Sequence, residues 1–387
     1  MTTQKTKLPE GWREVELGDS EFFEILSSGI EKFEGEKDYL STESIQATKI
    51  EKIEAKITFK NRPSRANMQP VLNSVWFAKM QATLKVYVFD ENNKDEIKKY
   101  ILSTGFAGIR CKENKVYPKY LKYFFITNKF NKIKDSLCSG ATQKGIRNEE
   151  IAKIKIPLPP IETQKKIVAI LEKAEKLKEK REQAIKLVDE YLKSVFYEIF
   201  LKEKDKFEEV ELGDEKVSLD LFAGGDVPKE NLSKIKTKDY YIPIFTNGER
   251  DKGFYGYTNI ARVKKPSITI SARGTIGYTE IRTENFYPAI RLIVLTPNEK
   301  SANLHYLKYA INHFIKFDFG GTSIPQLTVP MIRNLKIPLP PIELQQKFAS
   351  IVEKVEKMKE KQLESKKKTD EMFNSLIQKA FRRELVK

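Results

Sequence analysis

A duplication constrains this chain more than any other feature. Ile156-Pro-Leu-Pro-Pro-Ile-Glu162 recurs as Ile337-Pro-Leu-Pro-Pro-Ile-Glu343, 181 residues later. The ungapped match runs on to Phe200 and Phe381 with about half the residues identical. Val15-Glu-Leu-Gly-Asp19 recurs as Val210-Glu-Leu-Gly-Asp214, and Tyr120-Leu-Lys-Tyr123 as Tyr306-Leu-Lys-Tyr309, at offsets of 195 and 186. The offset shrinks toward the proline segment, so the first copy carries extra loop residues. Each copy has a variable front and a constrained back, the opposite of what a duplicated enzyme guarding a catalytic pocket requires. The fronts differ as if they recognise different things.

The constrained backs open on Pro157 and Pro159-Pro160, and on Pro338 and Pro340-Pro341. These prolines fix an extended lead into a helix start and donate no amide hydrogen. A 3-4 heptad spacing then places Ile167, Ile170, Ala174, Leu177, Arg181, Ala184, Val188, Tyr191 and Val195 in one seam. Phe348, Ile351, Val355, Met358, Gln362, Ser365, Thr369, Met372 and Leu376 take the equivalent places, with Lys and Glu on the outer faces. Two such helices, each of about 40 residues and about 60 Å at 1.5 Å per residue, exceed what one domain needs for its own core. They predict a helix pair acting as a spacer. Arg181 and Gln362 fall in mid-seam, where polar residues set register or border a local gap that holds water.

The fronts read as mixed structure. Strands are predicted at Val71 to Met80, Lys85 to Phe89, Ser267 to Ser271 and Ile290 to Thr296, and helices at Tyr117 to Leu137 and Asn303 to Phe317. Asp205 to Val210 links the halves. At 387 residues and 40% hydrophobic, two domains with their own cores are expected. Lys and Arg outnumber Asp and Glu by 70 to 54, a net charge of +16 that draws the chain to a polyanion. No apolar run approaches the ~20 residues of a bilayer span, and Met1 to Gly11 lacks the apolar core of a signal peptide, so no membrane partner and a cytoplasmic location are expected. Cys111 and Cys138 form no CxxC pair and are expected as reduced thiols.

Catalytic signatures are lacking. Gly140-Ala-Thr-Gln-Lys-Gly145 is followed by Ile146 and Arg147 where a P-loop demands Lys and then Ser or Thr. His305 and His313 lack a matching acidic pair, which argues against both a zinc helix and an acid–base dyad. Triplets such as Glu54-Ala-Lys56 are expected by chance in so Lys- and Glu-rich a chain. No Gly-rich cofactor loop follows a clear strand, so no cofactor is expected. What remains are polar, basic loops. Arg62, Ser64, Arg65, Asn67, Lys79 and Gln81 in the first copy, and Thr246, Asn247, Ser271, Arg273 and Thr275 in the second, form an inventory for DNA. Arg suits guanine edges and Asn or Gln adenine, while Ser and Thr mostly hold phosphate. The competing reading makes them ordinary turn residues.

Gly320-Gly-Thr-Ser-Ile-Pro-Gln-Leu327 followed by Leu335-Lys-Ile-Pro-Leu-Pro-Pro-Ile-Glu343-Leu-Gln345, with Gly140 to Gln164 as its first copy, resembles the hallmark of type I restriction–modification specificity subunits. Tyr241-Ile-Pro-Ile-Phe-Thr-Asn-Gly248 and Ile268-Thr-Ile-Ser-Ala-Arg-Gly-Thr-Ile276 also resemble that family's recognition domains, and Pro63-Ser-Arg65 and Val75-Trp-Phe-Ala-Lys79 match them more loosely. The resemblance adds Thr142, Gln143, Lys144, Thr322, Ser323 and Gln326 to the candidate DNA contacts. It implies an α+β fold with two mixed α/β target-recognition domains separated by a long antiparallel two-helix coiled coil in a pseudo-two-fold repeat. The expected boundaries are 1–157 and 204–338 for the recognition domains, and 158–203 and 339–387 for the spacer helices. The implied role is non-catalytic. Each domain reads half of a bipartite site in double-stranded DNA, while the helices set the spacer and dock two methyltransferase subunits, through which two restriction subunits bind. The alternative is a bipartite nucleic-acid-binding regulator without methyltransferase partners.

Overall fold

The computed structural model describes residues 9–140, 144–316 and 326–386. The chain forms two compact units, one of Met1–Arg181 with Ser365–Lys387 and the other of Glu182–Glu364. Each unit takes half of each long helix, Ile161–Phe196 and Ile342–Phe381. The domain is built from what buries its apolar faces together, and chain order is secondary.

In the first unit the strands Phe23–Ile25, Phe106–Cys111, Ser74–Ala78 and Val86–Phe89 lie side by side in that order, all antiparallel. A second sheet orders Ala55–Ile57, Lys37–Leu40, Tyr100–Ser103 and Ala66–Met68 around one parallel pair. A short ladder joins Arg13–Glu16 to Lys155–Leu158. The second unit repeats the plan. Ser218–Ala223, Ile293–Pro297, Ser267–Ile270 and Thr279–Arg282 form the antiparallel sheet. Phe254–Thr258, Ile242–Phe245 and Tyr287–Pro288 form the second around a parallel pair, and Glu208–Glu211 meets Lys336–Leu339. The first unit adds the strand Ala66–Met68, the hairpin Ile45–Gln46/Lys49–Ile50 and the helix Asn128–Ser136. The helix predicted over Tyr117 to Leu137 is two helices, Pro118–Phe125 and Asn128–Ser136, because Thr127 caps the second by accepting from the Phe130 amide at 3.0 Å.

The repeated motifs are the frame. Gln164 is fully buried; its Oε1 accepts from the Tyr117 amide at 2.8 Å, and its Nε2 donates to the Lys115 and Pro159 carbonyls at 3.0 and 2.8 Å. Gln345 does the same with the Asn303 amide and the Ser301 and Pro340 carbonyls, at 2.8, 2.9 and 2.7 Å. One amide thus joins helix, proline lead and preceding loop, satisfying backbone groups that burial would otherwise penalise. Tyr120 and Tyr306 donate their phenol hydrogens to the Pro157 and Pro338 carbonyls. Gly18 sits where an added Cβ would lie 2.8 Å from the Ala152 Cβ, which explains the glycine of the Val-Glu-Leu-Gly-Asp motif.

Half of the predicted helix seam needs correction. In the second long helix the inward residues are Gln345, Phe348, Val352, Val355, Lys359, Gln362, Lys366, Thr369, Phe373, Leu376 and Ala380, a 3-4 spacing that keeps every other predicted position. The alternate positions move on by one residue. Leu177, Tyr191, Met358 and Met372, predicted inside, are 38, 54, 54 and 41% exposed. The mid-seam places are held instead by lysines whose stems pack while their ammoniums meet carboxylates. Within the first unit Lys178 reaches Asp370 at 3.3 Å, and within the second Lys359 reaches Asp189 at 2.6 Å. In each unit the N-terminal half of one long helix packs beside the C-terminal half of the other, an antiparallel arrangement. Phe373, Ile377 and Phe381 join the first core with Leu171 and Ala174, and Leu192, Phe196 and Phe200 join the second with Phe348 and Val352. Tyr123 and Tyr309 face these helices through Glu175 and Glu356; burial first, and then those carboxylates, push both phenols up, that of Tyr309 to about 12. No described helix is long and apolar enough to cross a membrane.

Candidate nucleic-acid interface

In both units an inner strand of the antiparallel sheet ends in a polar loop, and a segment just ahead of the proline motif returns to brace it. Ile146 donates its amide to the Lys79 carbonyl at 3.1 Å in the first unit, and Leu327 to the Ala272 carbonyl at 2.9 Å in the second. The strand ends are thus fixed by the region that leads into the proline motif.

In the first unit Ser74–Ala78 is wholly buried and delivers Lys79 to the surface. Lys79 is half-buried, and burial lowers its ammonium pKa against the opposing pull of Glu149. It lines a 400 Å³ depression with Ser28, Thr104, Arg147 and Asn148. Gln81 and Lys144 are exposed, and the Gln81 amide donates to the Lys144 carbonyl at 3.0 Å, so the two candidates share one ridge. Ser64 and Arg65 are exposed on a turn whose Arg65 carbonyl accepts from the Thr104 amide at 2.8 Å, which brings them toward the same depression. Asn67 is half-buried. Arg62 is committed locally, donating to the Phe59 carbonyl with its guanidinium 4.2 Å from the Phe59 ring centre. Sequence reasoning missed Ser28, Thr104, Arg147 and Asn148. Arg147 was visible only as a failed P-loop position, and the others carry no motif.

In the second unit Arg273 and Thr275 project from the turn after Ser267–Ile270, with Gly274 and Gly277 at φ of 69° and 83°. Arg273 donates from Nε and Nη2 to the Gln326 Oε1 at 3.1 and 2.6 Å, so two candidates far apart in sequence share one exposed pair. Ser271 and Asn247 serve the loop itself. The Ser271 side chain is buried and its Oγ accepts from the Gly248 amide at 3.0 Å; Asn247 accepts from the Ala272 amide at 2.7 Å and donates to the Ile290 carbonyl at 2.5 Å. Those bonds hold the two side chains in place beneath the turn. Thr246 is half-buried and donates its hydroxyl to the Gly253 carbonyl at 3.4 Å. Thr142, Gln143, Thr322 and Ser323 lie outside the described residues.

Other chemistry is sparse. No group of three or more His, Cys, Asp or Glu able to hold a metal is found among the described residues. His313 packs 4.8 Å from the Phe196 ring, and its Nδ1 lies 2.9 Å from the Tyr309 carbonyl. Cys111 and Cys138 are free thiols; burial pushes both up in pKa.

The family model for the type I restriction modification DNA specificity domain matches residues 9–187 and 204–369, one match per repeat. A putative type I specificity subunit of Mycoplasma pneumoniae is 29% identical over 214 residues, spanning 54% of this chain and 57% of the relative. The match therefore covers little more than half of that relative's length. A putative type I restriction enzyme specificity subunit of Methanocaldococcus jannaschii is 26% identical over 292 residues, 67% of this chain and 68% of that one. Among solved structures, a chain of a type I R-M system superposes with a TM-score of 0.65 at 22% identity, covering 98% of this chain and 100% of that chain. The S subunit of a type I system from M. genitalium gives 0.56 at 15%, covering 98% of each. At these identities the structural likeness speaks for the fold.

Proposed function

Since the chain belongs to the type I restriction modification DNA specificity family, we propose that it is the non-catalytic recognition subunit of a type I restriction–modification enzyme. Each unit reads one half of a split site in double-stranded DNA. The reading parts are 1–157 and 204–338, and the helical parts, 158–203 and 339–387, set the unread spacer. The observation that carries this reading is one frame, repeated to the hydrogen bond at Gln164 and Gln345, that holds up two unlike polar loops. Duplication of frame with divergence of face suits a protein that reads two different sequences.

The contact set proposed for the first half is Ser64, Arg65, Lys79, Gln81 and Lys144, with Arg147 and Asn148 beside them; for the second it is Arg273, Thr275 and Gln326. Arg62, Asn67, Thr246, Asn247 and Ser271 shape the loops. The net charge of +16 supplies the sequence-independent part of binding, so affinity falls steeply with salt. Two methyltransferase subunits dock on the helical parts and two restriction subunits join through them, in the cytoplasm; these partners bring the cofactors. A groove of 590 Å³ in the second unit, lined by Leu187, Val188, Tyr191, Ile351, Val355 and Met358, supports such docking.

The test is co-expression with the methyltransferase subunit of the same system, followed by mapping of modified bases across a genome. A single bipartite motif with a fixed spacer is expected. Modification without a split motif, or tight salt-insensitive DNA binding by the lone chain, would contradict the proposal.

A further inference from the structure

Each candidate reading face is held from beneath by one buried cation that is not part of it. In the first unit the cation ties the reading loop itself. In the second it ties the neighbouring loop that cradles the reading turn through the Gly248 amide on Ser271 and the Ala272 amide on Asn247. In the first unit Lys134, on the helix Asn128–Ser136, is 1% exposed. Its Nζ donates to the Met80 carbonyl at 2.9 Å and the Thr83 carbonyl at 2.6 Å. The neighbouring Asp135 accepts from the Ala82 amide at 3.1 Å through Oδ1, and its carbonyl takes the Gln81 Nε2 at 3.5 Å. Ala82 stands at φ 56°, a left-handed conformation that alanine adopts only when its surroundings impose it. The helix end thus holds the loop that carries Lys79 and Gln81 on both sides of Gln81.

In the second unit the cation comes from a strand. Arg282, 5% exposed, donates from Nη2 to the Lys252 carbonyl at 2.5 Å and from Nε to the Thr269 Oγ1 at 3.2 Å, with its guanidinium 3.6 Å from the Phe245 ring centre. The loop above it, running from Thr246 to Gly253, passes through three successive left-handed residues, Asp251, Lys252 and Gly253, at φ of 49°, 54° and 75°. It closes through the Thr246 amide on the Gly253 carbonyl at 2.8 Å. A buried cation is tolerated only where dipoles replace its water. For Lys134 two loop carbonyls and the adjacent Asp135 carboxylate, 3.4 Å away, do so, and for Arg282 the Lys252 carbonyl of the loop and the Thr269 hydroxyl do, so the loop's conformation and the cation's burial support each other.

We propose that Lys134 and Arg282 are positioning residues for sequence readout, each fixing the loop of its own unit and so the fidelity of one half-site. The proposal rests on the recognition reading above. It assigns specificity to two residues that DNA does not touch, through unrelated elements that solve the same problem: holding a strained, polar loop rigid enough that a wrong base meets an unpaired group rather than a loop that adapts.

The experiment uses the full chain assembled with its methyltransferase subunits, carrying K134M, D135A, R282M or R282K, with the modified motif read genome-wide and the melting temperature of each complex measured. K134M is expected to relax the first unit's half-site by roughly tenfold or more in base discrimination at one or more positions, leaving the other half as in the wild type. D135A, an exposed-side tie less demanding of folding, relaxes the same half to a smaller extent. R282M relaxes the opposite half, and R282K, which keeps the charge, retains more discrimination than R282M. Modification that merely weakens at all sites with an unchanged motif, or both halves relaxing together, overturns the proposal, because that is what loss of stability alone produces. A wild-type complex that yields no split motif is a different failure and refutes the recognition reading itself.

Discussion

The two units share a frame and differ in almost everything the frame displays. The antiparallel sheet has the same strand order in both, the parallel pair recurs, and Gln164 and Gln345 make the same three bonds. Yet the first braces its reading loop with a helix and Lys134, and the second braces the loop beneath its reading turn with a strand and Arg282. The first presents a depression lined by Lys79 and Arg147, the second an exposed Arg273–Gln326 pair. Where selection acts on a shared scaffold, the bonds coincide atom for atom. Where the copies differ, only the need for a rigid loop is common.

The largest effect expected from breaking this comparison lies in the frame. Phe381 and Phe200, 181 residues apart, pack against Tyr120 and Tyr306 at 5.2 and 4.8 Å. Truncating either to alanine should cost about 3–5 kcal/mol, and by similar amounts, measured by denaturant unfolding of the full chain. A large difference would mean the two cores are not equivalent. Next come Q164A and Q345A, each of which strands buried backbone groups. A loss of about 1–3 kcal/mol apiece is expected, and a negligible loss in either would show that water substitutes for the amide there.

No larger, and confined to one half-site, is the effect of R273A. If the guanidinium meets a base edge, discrimination at one position of one half-site falls by about 1–3 kcal/mol. Uniform weakening of all sites would assign it to a phosphate, and no change would make its pairing with Gln326 purely structural. The smallest effect is predicted for K359A. Its partner Asp189 is 2.6 Å away, but the pair is 37 and 47% exposed, so about 0–1 kcal/mol should be lost.

The sequence made the frame legible because the frame is repeated and local. The proline lead, the helix start and the Gly of Val-Glu-Leu-Gly-Asp act on near neighbours, and their recurrence marks them. The seam was legible at Phe348, Val355 and Thr369 but displaced by one residue at Met358 and Met372, because an apolar residue looks like a seam residue until Lys359 and Phe373 are seen to take the places. The faces were less legible for a different reason. Lys134 meets Met80 from 54 residues away, and Arg282 meets Lys252 from 30. No periodicity announces such bonds, and Ser271 and Asn247, which read as contacts by residue type, are occupied in holding the loop.

The central claim is that two independent readers stand on one repeated frame, and exchange of a single reader tests it most directly. Residues 204–336 of this chain would be replaced by the equivalent segment of a relative, the chimera assembled with its methyltransferase subunits, and the modified motif mapped. The account predicts that one half-site becomes the relative's while the other half remains as it was. A change in both halves, or in neither, would contradict it.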